Sequence, residues 1–386
     1  MNFILLVFFC EGNAQAAIFD LTLFKETYEE SRKAFLSVAG DKAHTFVFKK
    51  NQNHELAVDY VYWPAGSTHK TLVLVNSGIH GIEGFVGSAV QRQWLLHLRE
   101  SPLPPEMGVL MIHGLNPFGF MNQRRVNENN VDLNRNFAIK PSLFSKQNLE
   151  YKKIERFLNP KKPIKLNFVS EVSFLLEAAR YIFQYSLGTM RQGVLQGQYS
   201  SPEGLYFGGD RAQNQRALVD LLLQEWASTY ERIFVIDIHT GYGQRGKLHY
   251  LAASSADPES IVLKKIFGEH SVDFGQQKDF YLVEGDFVAY CLYRLRNDFR
   301  RSAQGLAFEF GTLDSQKTLG SIESLRRMVL ENQVWNYRSD TQQDADKIRG
   351  LFREMFYPSD PEWRSAALRQ AQQGWDQVIR YYSSIQ

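Results

Sequence analysis

Four short apolar runs constrain the fold of this chain more than any other feature. Thr71–Val75 (TLVLV), Gly108–His113 (GVLMIH), Ile233–Ile238 (IFVIDI) and Leu306–Phe310 (LAFEF) lack the sustained polar alternation of a strand with one wet face. Such runs mark strands buried on both sides, as in a parallel sheet covered by helices. Between them lie segments with helical spacing, Phe85–Leu98, Val169–Tyr185 and Ala217–Tyr230. Alternation of buried strand and helix predicts an α/β protein with a mixed, mainly parallel central sheet flanked by helices. Thr45–Lys49 and Ala57–Trp63 read as further strands, Phe19–Val38 as an amphipathic helix ending near Gly40, and the chain beyond Ser321 as largely helical. The lysine-rich stretch Lys140–Lys165 reads as a surface excursion, and the glycine-bearing Gly188–Gly209 as a long loop of the kind that covers binding sites.

With no repeat and no interdomain linker, residues 17–386 are expected to form one domain. Residues 1–16 resemble a signal peptide, because the apolar run Phe3–Cys10 precedes Ala14-Gln15-Ala16-Ala17. No Lys or Arg stands before that run, yet export to the periplasm is favoured over retention in the cytoplasm. The run is too short to span a bilayer, so no integral membrane segment is expected. Forty-four basic against 42 acidic residues leave a net charge of +2, which gives no electrostatic footprint for nucleic acid. Two cysteines, Cys10 and Cys291, rule out a disulfide framework and a thiolate zinc finger. Any metal must be held by histidines and carboxylates.

In open α/β sheets ligands bind outside the carboxyl ends of the strands. His80, Glu83, Asn116 and His239 all fall just after or at the end of a predicted strand. His80 and Glu83 form an H-x-x-E pair at a strand-to-helix turn, and with His239 they supply the ligand set of a catalytic zinc that leaves one position open. The pair alone is weak, since His97 and Glu100 repeat the pattern inside a predicted helix, where an exposed helix-face pair is expected. Gly78, Gly81 and Gly84 also invite a phosphate-cradling reading, but the spacing is not G-x-G-x-x-G, no Walker lysine follows, and Glu83 would repel phosphate. Asp237, two residues before His239, could orient a neighbour or cap a turn, and is given no metal role. Arg124, Arg125, Asn134 and Arg135 lie in a segment too polar for core, suited to carboxylate recognition and oxyanion stabilisation, or else to holding its own loop together. Glu309 lies between Phe308 and Phe310, where burial would raise its pKa toward that of a general base; a buried Glu paired with an arginine would look the same.

Taken in order, these residues resemble the zinc carboxypeptidase superfamily, which includes carboxypeptidase A-like enzymes and the succinylglutamate desuccinylase/aspartoacylase branch. The motifs are His80/Glu83, Asn116-Pro117, Arg124/Arg125, Asn134-Arg135, His239 and Glu309, spread over roughly residues 70 to 312. Asp132-Leu133-Asn134-Arg135 looks closest to the deacylase branch and Asn116-Pro117-x-Gly119 to the carboxypeptidase branch. The phrasing HGIEGF, RRVNENNVDLNRNF, DIHTG and EFGT is most similar to an uncharacterised bacterial subgroup. The resemblance implies a zinc carboxypeptidase-like fold and a Zn2+ ion on His80, Glu83 and His239. It implies hydrolysis of an amide bond next to a free carboxylate, in a peptide or an N-acyl amino acid. Glu309 would be the base and Arg125 would stabilise the oxyanion, with Arg124 as the alternative. Arg124, Asn134 and Arg135 would bind substrate. The family's substrate-contacting tyrosine has two candidates here, Tyr281 and Tyr290. The large insertion between Phe137 and Glu231 departs from the family pattern. A deacylase of N-acyl amino acids, or a zinc- or nucleotide-binding protein without catalysis, are the alternative readings.

Overall fold

The computed structural model describes residues 20–50, 54–252, 259–274 and 284–385. The expected signal segment and Tyr281 lie outside the described residues. Eight strands, β1 (Ala43–Lys50), β2 (Glu55–Trp63), β3 (Thr71–Ser77), β4 (Met107–His113), β5 (Arg232–Gly241), β6 (Leu248–Ala252), β7 (Val272–Phe274) and β8 (Ser302–Gly311), form one sheet in the order β1-β2-β4-β3-β5-β8-β6-β7. The four central strands, β4-β3-β5-β8, are mutually parallel. β1 and β2 add an antiparallel margin, and β6 runs antiparallel to β8 at the other side. This is the mixed, mainly parallel sheet that the apolar runs predict.

Burial on both faces explains those runs directly. Val73, Val75, Phe234 and Ile236 point into one core cluster, while Leu72, Leu74, Ile233 and Val235 point into the other. Successive strand side chains face opposite ways, so every residue in the run must be apolar. The first cluster is covered by the helices Gly84–Glu100 and Pro361–Ser384, whose Trp94 and Trp375 rings stack 4.8 Å apart. The second is covered by the helices Asn214–Glu225 and Phe287–Tyr293.

Parallel pairing also sets the positions of polar residues at the carboxyl ends. Asn76 of β3 pairs in register with Asp237 of β5, and His239 of β5 with Glu309 of β8. Three strands thus deliver chemistry to one edge of the sheet.

Two expectations are corrected. The stretch 140–165 holds a buried-faced helix, Leu149–Leu158, with Tyr151, Ile154, Phe157 and Leu158 turned inward. Its exposed lysines disguise an ordinary amphipathic period. The helix predicted to end at Tyr185 runs from Phe168 to Leu195, interrupted at Ser186 (φ 68°, ψ 155°), so the glycine loop begins only near Gly197. Gly193 lies within that helix and serves close packing there, since a Cβ would lie 3.1 Å from the backbone of Glu150 and Tyr151. The short strands β6 and β7 have no counterpart in the sequence reading.

Candidate functional site

β3 ends at Ser77, and Gly78 (φ 69°) turns the chain into His80. A single turn of 3-10 helix, Gly81–Glu83, then leads into the helix Gly84–Glu100. That turn is clamped from above: the N–H groups of Gly81 and Ile82 donate to the carbonyls of Arg125 and Arg124. Gly81 has no alternative at this contact, since a Cβ would sit 2.0 Å from the carbonyl carbon of Gly119.

The result is a buried cluster in which one ligand atom from each of His80, Glu83 and His239 lies within 4.8 Å of the others. His80 Nδ1 is 2.8 Å from Glu83 Oε1, His239 Nδ1 is 3.0 Å from Glu83 Oε2, and the two Nδ1 atoms are 3.3 Å apart. Tetrahedral coordination at ~2.05 Å places ligand atoms ~3.3 Å from one another, so the donor set fits zinc in chemistry and in spacing. Each imidazole is held from behind by a carboxylate. His80 Nε2 is 3.2 Å from Asp132 Oδ1, and His239 Nε2 is 2.6 Å from Asp237 Oδ2. Asp237 also accepts from Asn76 Nδ2 at 2.7 Å. Such outer carboxylates fix ring orientation and leave Nδ1 free to ligate.

Electrostatics in the cluster follow from this crowding. Burial opposes ionisation of Glu83, but the His80 and His239 imidazoles outweigh it and hold the carboxyl below its usual range. Burial likewise opposes a charged His239, yet Asp237 and Glu83 raise its pKa well above that of free histidine. Asp132, also buried, is held well below the carboxylate range by Arg125, His80 and Arg135. Asp132 and Asp237 therefore act through the two histidines. Asp237→Asn should weaken metal affinity by about 10–100-fold, measured by competition against a chromogenic chelator.

Arg125 lies beside the cluster, its Nε donating to Asp132 Oδ2 at 3.0 Å and its Nη1 to Glu83 Oε1 at 3.4 Å. Asn134 and Arg135 also line the cavity. Asn134 Oδ1 accepts from the Phe287 N–H at 2.9 Å, and Arg135 Nη1 donates to the Asn134 carbonyl at 3.0 Å. The buried Arg135 Nε has no hydrogen-bond partner, so this guanidinium at the cavity wall keeps donor capacity to spare.

Arg124 is a correction. The resemblance implies substrate binding for Arg124, but its side chain turns away from the cavity. Its Nε donates to Glu331 Oε1 at 2.7 Å and its guanidinium lies 4.2 Å over the Trp335 ring. Arg124 thus secures the site loop to the helix Thr318–Tyr337. Arg124→Met should destabilise the protein by about 3–5 kcal/mol, the usual effect of leaving a buried charge unpaired, without changing metal affinity; urea denaturation beside a metal titration reads both.

Glu309 faces the cluster from β8 and accepts from the Tyr242 N–H at 2.8 Å. Burial, reinforced by the neighbouring Glu83 carboxylate against the pull of His239, pushes its pKa up to about 8. The cavity shared by these groups has a volume of about 490 Å³ and an apolar wall that includes Ile182, Met190, Val194, Leu325 and Met328. Tyr290 does not reach it: its hydroxyl donates to Asp220 Oδ1 at 2.6 Å and accepts from Arg216 Nε at 3.0 Å on the far side of its helix. His97 and Glu100 lie at the end of the helix Gly84–Glu100, outside the cluster. Sequence reading missed Asp132 as a partner of His80. Its signal was present in the DLNR stretch, but nothing local ties it to a histidine 52 residues earlier.

Among solved structures, the chain is similar to bovine thrombin-activatable fibrinolysis inhibitor in complex with tick carboxypeptidase inhibitor, at 14% identity and a TM-score of 0.45, covering 90% of this chain and 99% of that one. It is similar to carboxypeptidase A from Helicoverpa armigera at 11% identity and a TM-score of 0.43, covering 85% and 73% of the two chains. Similarity to a metallo-carboxypeptidase from Burkholderia cenocepacia stands at 12% identity and a TM-score of 0.43, covering 93% and 70%. No curated protein matches the chain. Residues 24–370 match the family described as "Protein of unknown function (DUF2817)", and the chain belongs to that family.

Proposed function

We propose that this protein is a zinc-dependent metallohydrolase that cleaves an amide bond next to a free carboxylate. The observation that carries the reading is the convergence of His80 Nδ1, His239 Nδ1 and the Glu83 carboxylate in one cavity with Glu309. His80, Glu83 and His239 would hold the ion; when bound there it supplies Lewis acidity, easing the ionisation of water near neutral pH and polarising a carbonyl.

The remaining steps belong to the chain's own side chains. Glu309, with a pKa raised to about 8, is suited to take a proton from the attacking water at one oxygen and return it to the leaving amine. Arg125, anchored on Asp132 by Nε, presents its Nη edge to the charge that develops on the carbonyl oxygen. Arg135, whose Nε lacks a partner, would bind the substrate's free carboxylate beside Asn134.

The apolar cavity wall supports a second reading within the same chemistry, because it fits an acyl chain as well as an amino-acid side chain. The test is a panel of peptides with free or amidated C-termini beside N-acyl amino acids, assayed with the zinc-loaded protein. Cleavage that requires the free carboxylate supports the proposal, and the preferred arm separates carboxypeptidase from deacylase. Zinc bound with no turnover in any arm would point to a non-catalytic zinc protein.

A further inference from the structure

The helix Phe168–Leu195 carries two apolar faces. One turns inward, where Ala178 and Tyr181 are buried and Ile182 lines the cavity. The other points to solvent. Phe168, Val169, Leu175, Leu176 and Phe183 fall on one arc at ~100° per residue, and Phe168 is 78%, Leu176 67% and Phe183 95% exposed. Scattered exposed apolar residues need no explanation, but a continuous stripe on one helix does. The stripe stops where the backbone breaks at Ser186. Glu171 and Glu177 fall outside its arc.

Lys161, Lys162 and Lys165 stand just before the helix, all exposed, and none forms an ion pair among the described residues. We propose that this face docks the protein on an anionic lipid bilayer, with the outward side chains entering the headgroup boundary and the three lysines contacting the lipid phosphates. Two considerations favour a bilayer over a second copy of the chain. From Phe168 to Phe183 the stripe is about 22 Å long and one helix wide. By those exposures its five side chains offer on the order of 600 Å² of apolar surface, at the lower limit of what one partner buries in a stable interface. Shallow insertion of one amphipathic helix needs no larger matching surface, and adjacent cations add to it when the lipid is anionic. The net charge of +2 hides this local cluster. No helix among the described residues is long and apolar enough to cross a membrane, so the contact is with the surface only.

Full-length protein is floated with phosphatidylcholine vesicles that contain or lack phosphatidylglycerol. Partitioning onto the anionic vesicles is expected, and replacing Lys161, Lys162 and Lys165 together with Gln should weaken it by on the order of a hundredfold at low salt. The combined variant Phe168→Ser, Leu176→Ser, Phe183→Ser should weaken it at least about tenfold. Circular dichroism and zinc content confirm that both variants are folded, as expected for exposed positions. The proposal is overturned if the native protein ignores anionic vesicles, or if neither set of substitutions changes its partitioning. It is also overturned if the native protein sediments as a dimer that the serine variant dissociates.

Discussion

Glu309→Gln should retain zinc and lose hydrolysis by about 10²–10⁴-fold, the range that general acid–base catalysis contributes. Gln keeps the shape of Glu and can still accept from the Tyr242 N–H that holds Glu309 at 2.8 Å, but it cannot take a proton from water. The side chain lies in the cavity without being one of the three clustered ligands, so metal content should not change. A stability measurement tests the raised pKa independently of activity. In the metal-free protein burial raises the Glu309 pKa from 4.5 to about 8. Between those values the native state holds a proton that the unfolded chain has released, so this group's contribution to stability is present below the lower value and lost as pH rises through the upper one. Gln has no such dependence. Chelator-treated Glu309→Gln should therefore gain stability relative to the native protein on going from pH 5 to pH 9 in urea titrations. A Glu309 whose pKa is lowered in the folded protein would give the opposite trend. With a divalent cation nearby the carboxylate is favoured, so the acid limb of kcat/KM should fall below pH 8 and vanish in the variant.

What the chain's sequence could and could not reveal follows from the range of each signal. Strands β3, β4, β5 and β8 were legible because burial on two faces leaves a continuous apolar run, which no register or partner is needed to detect. His80, Glu83 and His239 were legible as strand-end residues for the same reason. Arg125 is preferred over Arg124 for the oxyanion, yet both remain substrate-site candidates in the sequence: they are neighbours of one chemistry, and only the tertiary fold sends one to Glu331, 207 residues away, and the other to Asp132. Asp237 could be weighed as an orienting group from its place beside His239, but its bond to Asn76 depends on the β3–β5 register. The helix Leu149–Leu158 was hidden by its lysines, and the helix Phe168–Leu195 runs past its expected end because Gly188 and Gly193, which read as loop residues, lie within it, Gly193 where it packs against Glu150 and Tyr151. Composition records what a segment contains; it does not record which side faces in.

His239→Ala, and His80→Ala likewise, should lose zinc binding by more than the 10–100-fold expected for an outer carboxylate, and with it all measurable hydrolysis. Either change leaves two ligands of the three-point cluster that β5 closes across the sheet. Thermal unfolding gives a readout independent of activity. An ion that binds only the folded state adds about 2.7 kcal/mol of stability at a hundredfold excess over Kd, so zinc should raise the Tm of the chelator-treated native protein and leave that of His239→Ala unchanged. Acid should oppose the effect. Asp237 and Glu83 hold a proton on the His239 ring well above its ordinary range, and that proton must leave before the nitrogen can ligate. The zinc-induced rise in Tm should therefore shrink as pH falls, with protons released on binding in buffers of differing ionisation enthalpy. A rise in Tm that persists in His239→Ala would place the ion elsewhere and remove the basis for Glu309 as its partner.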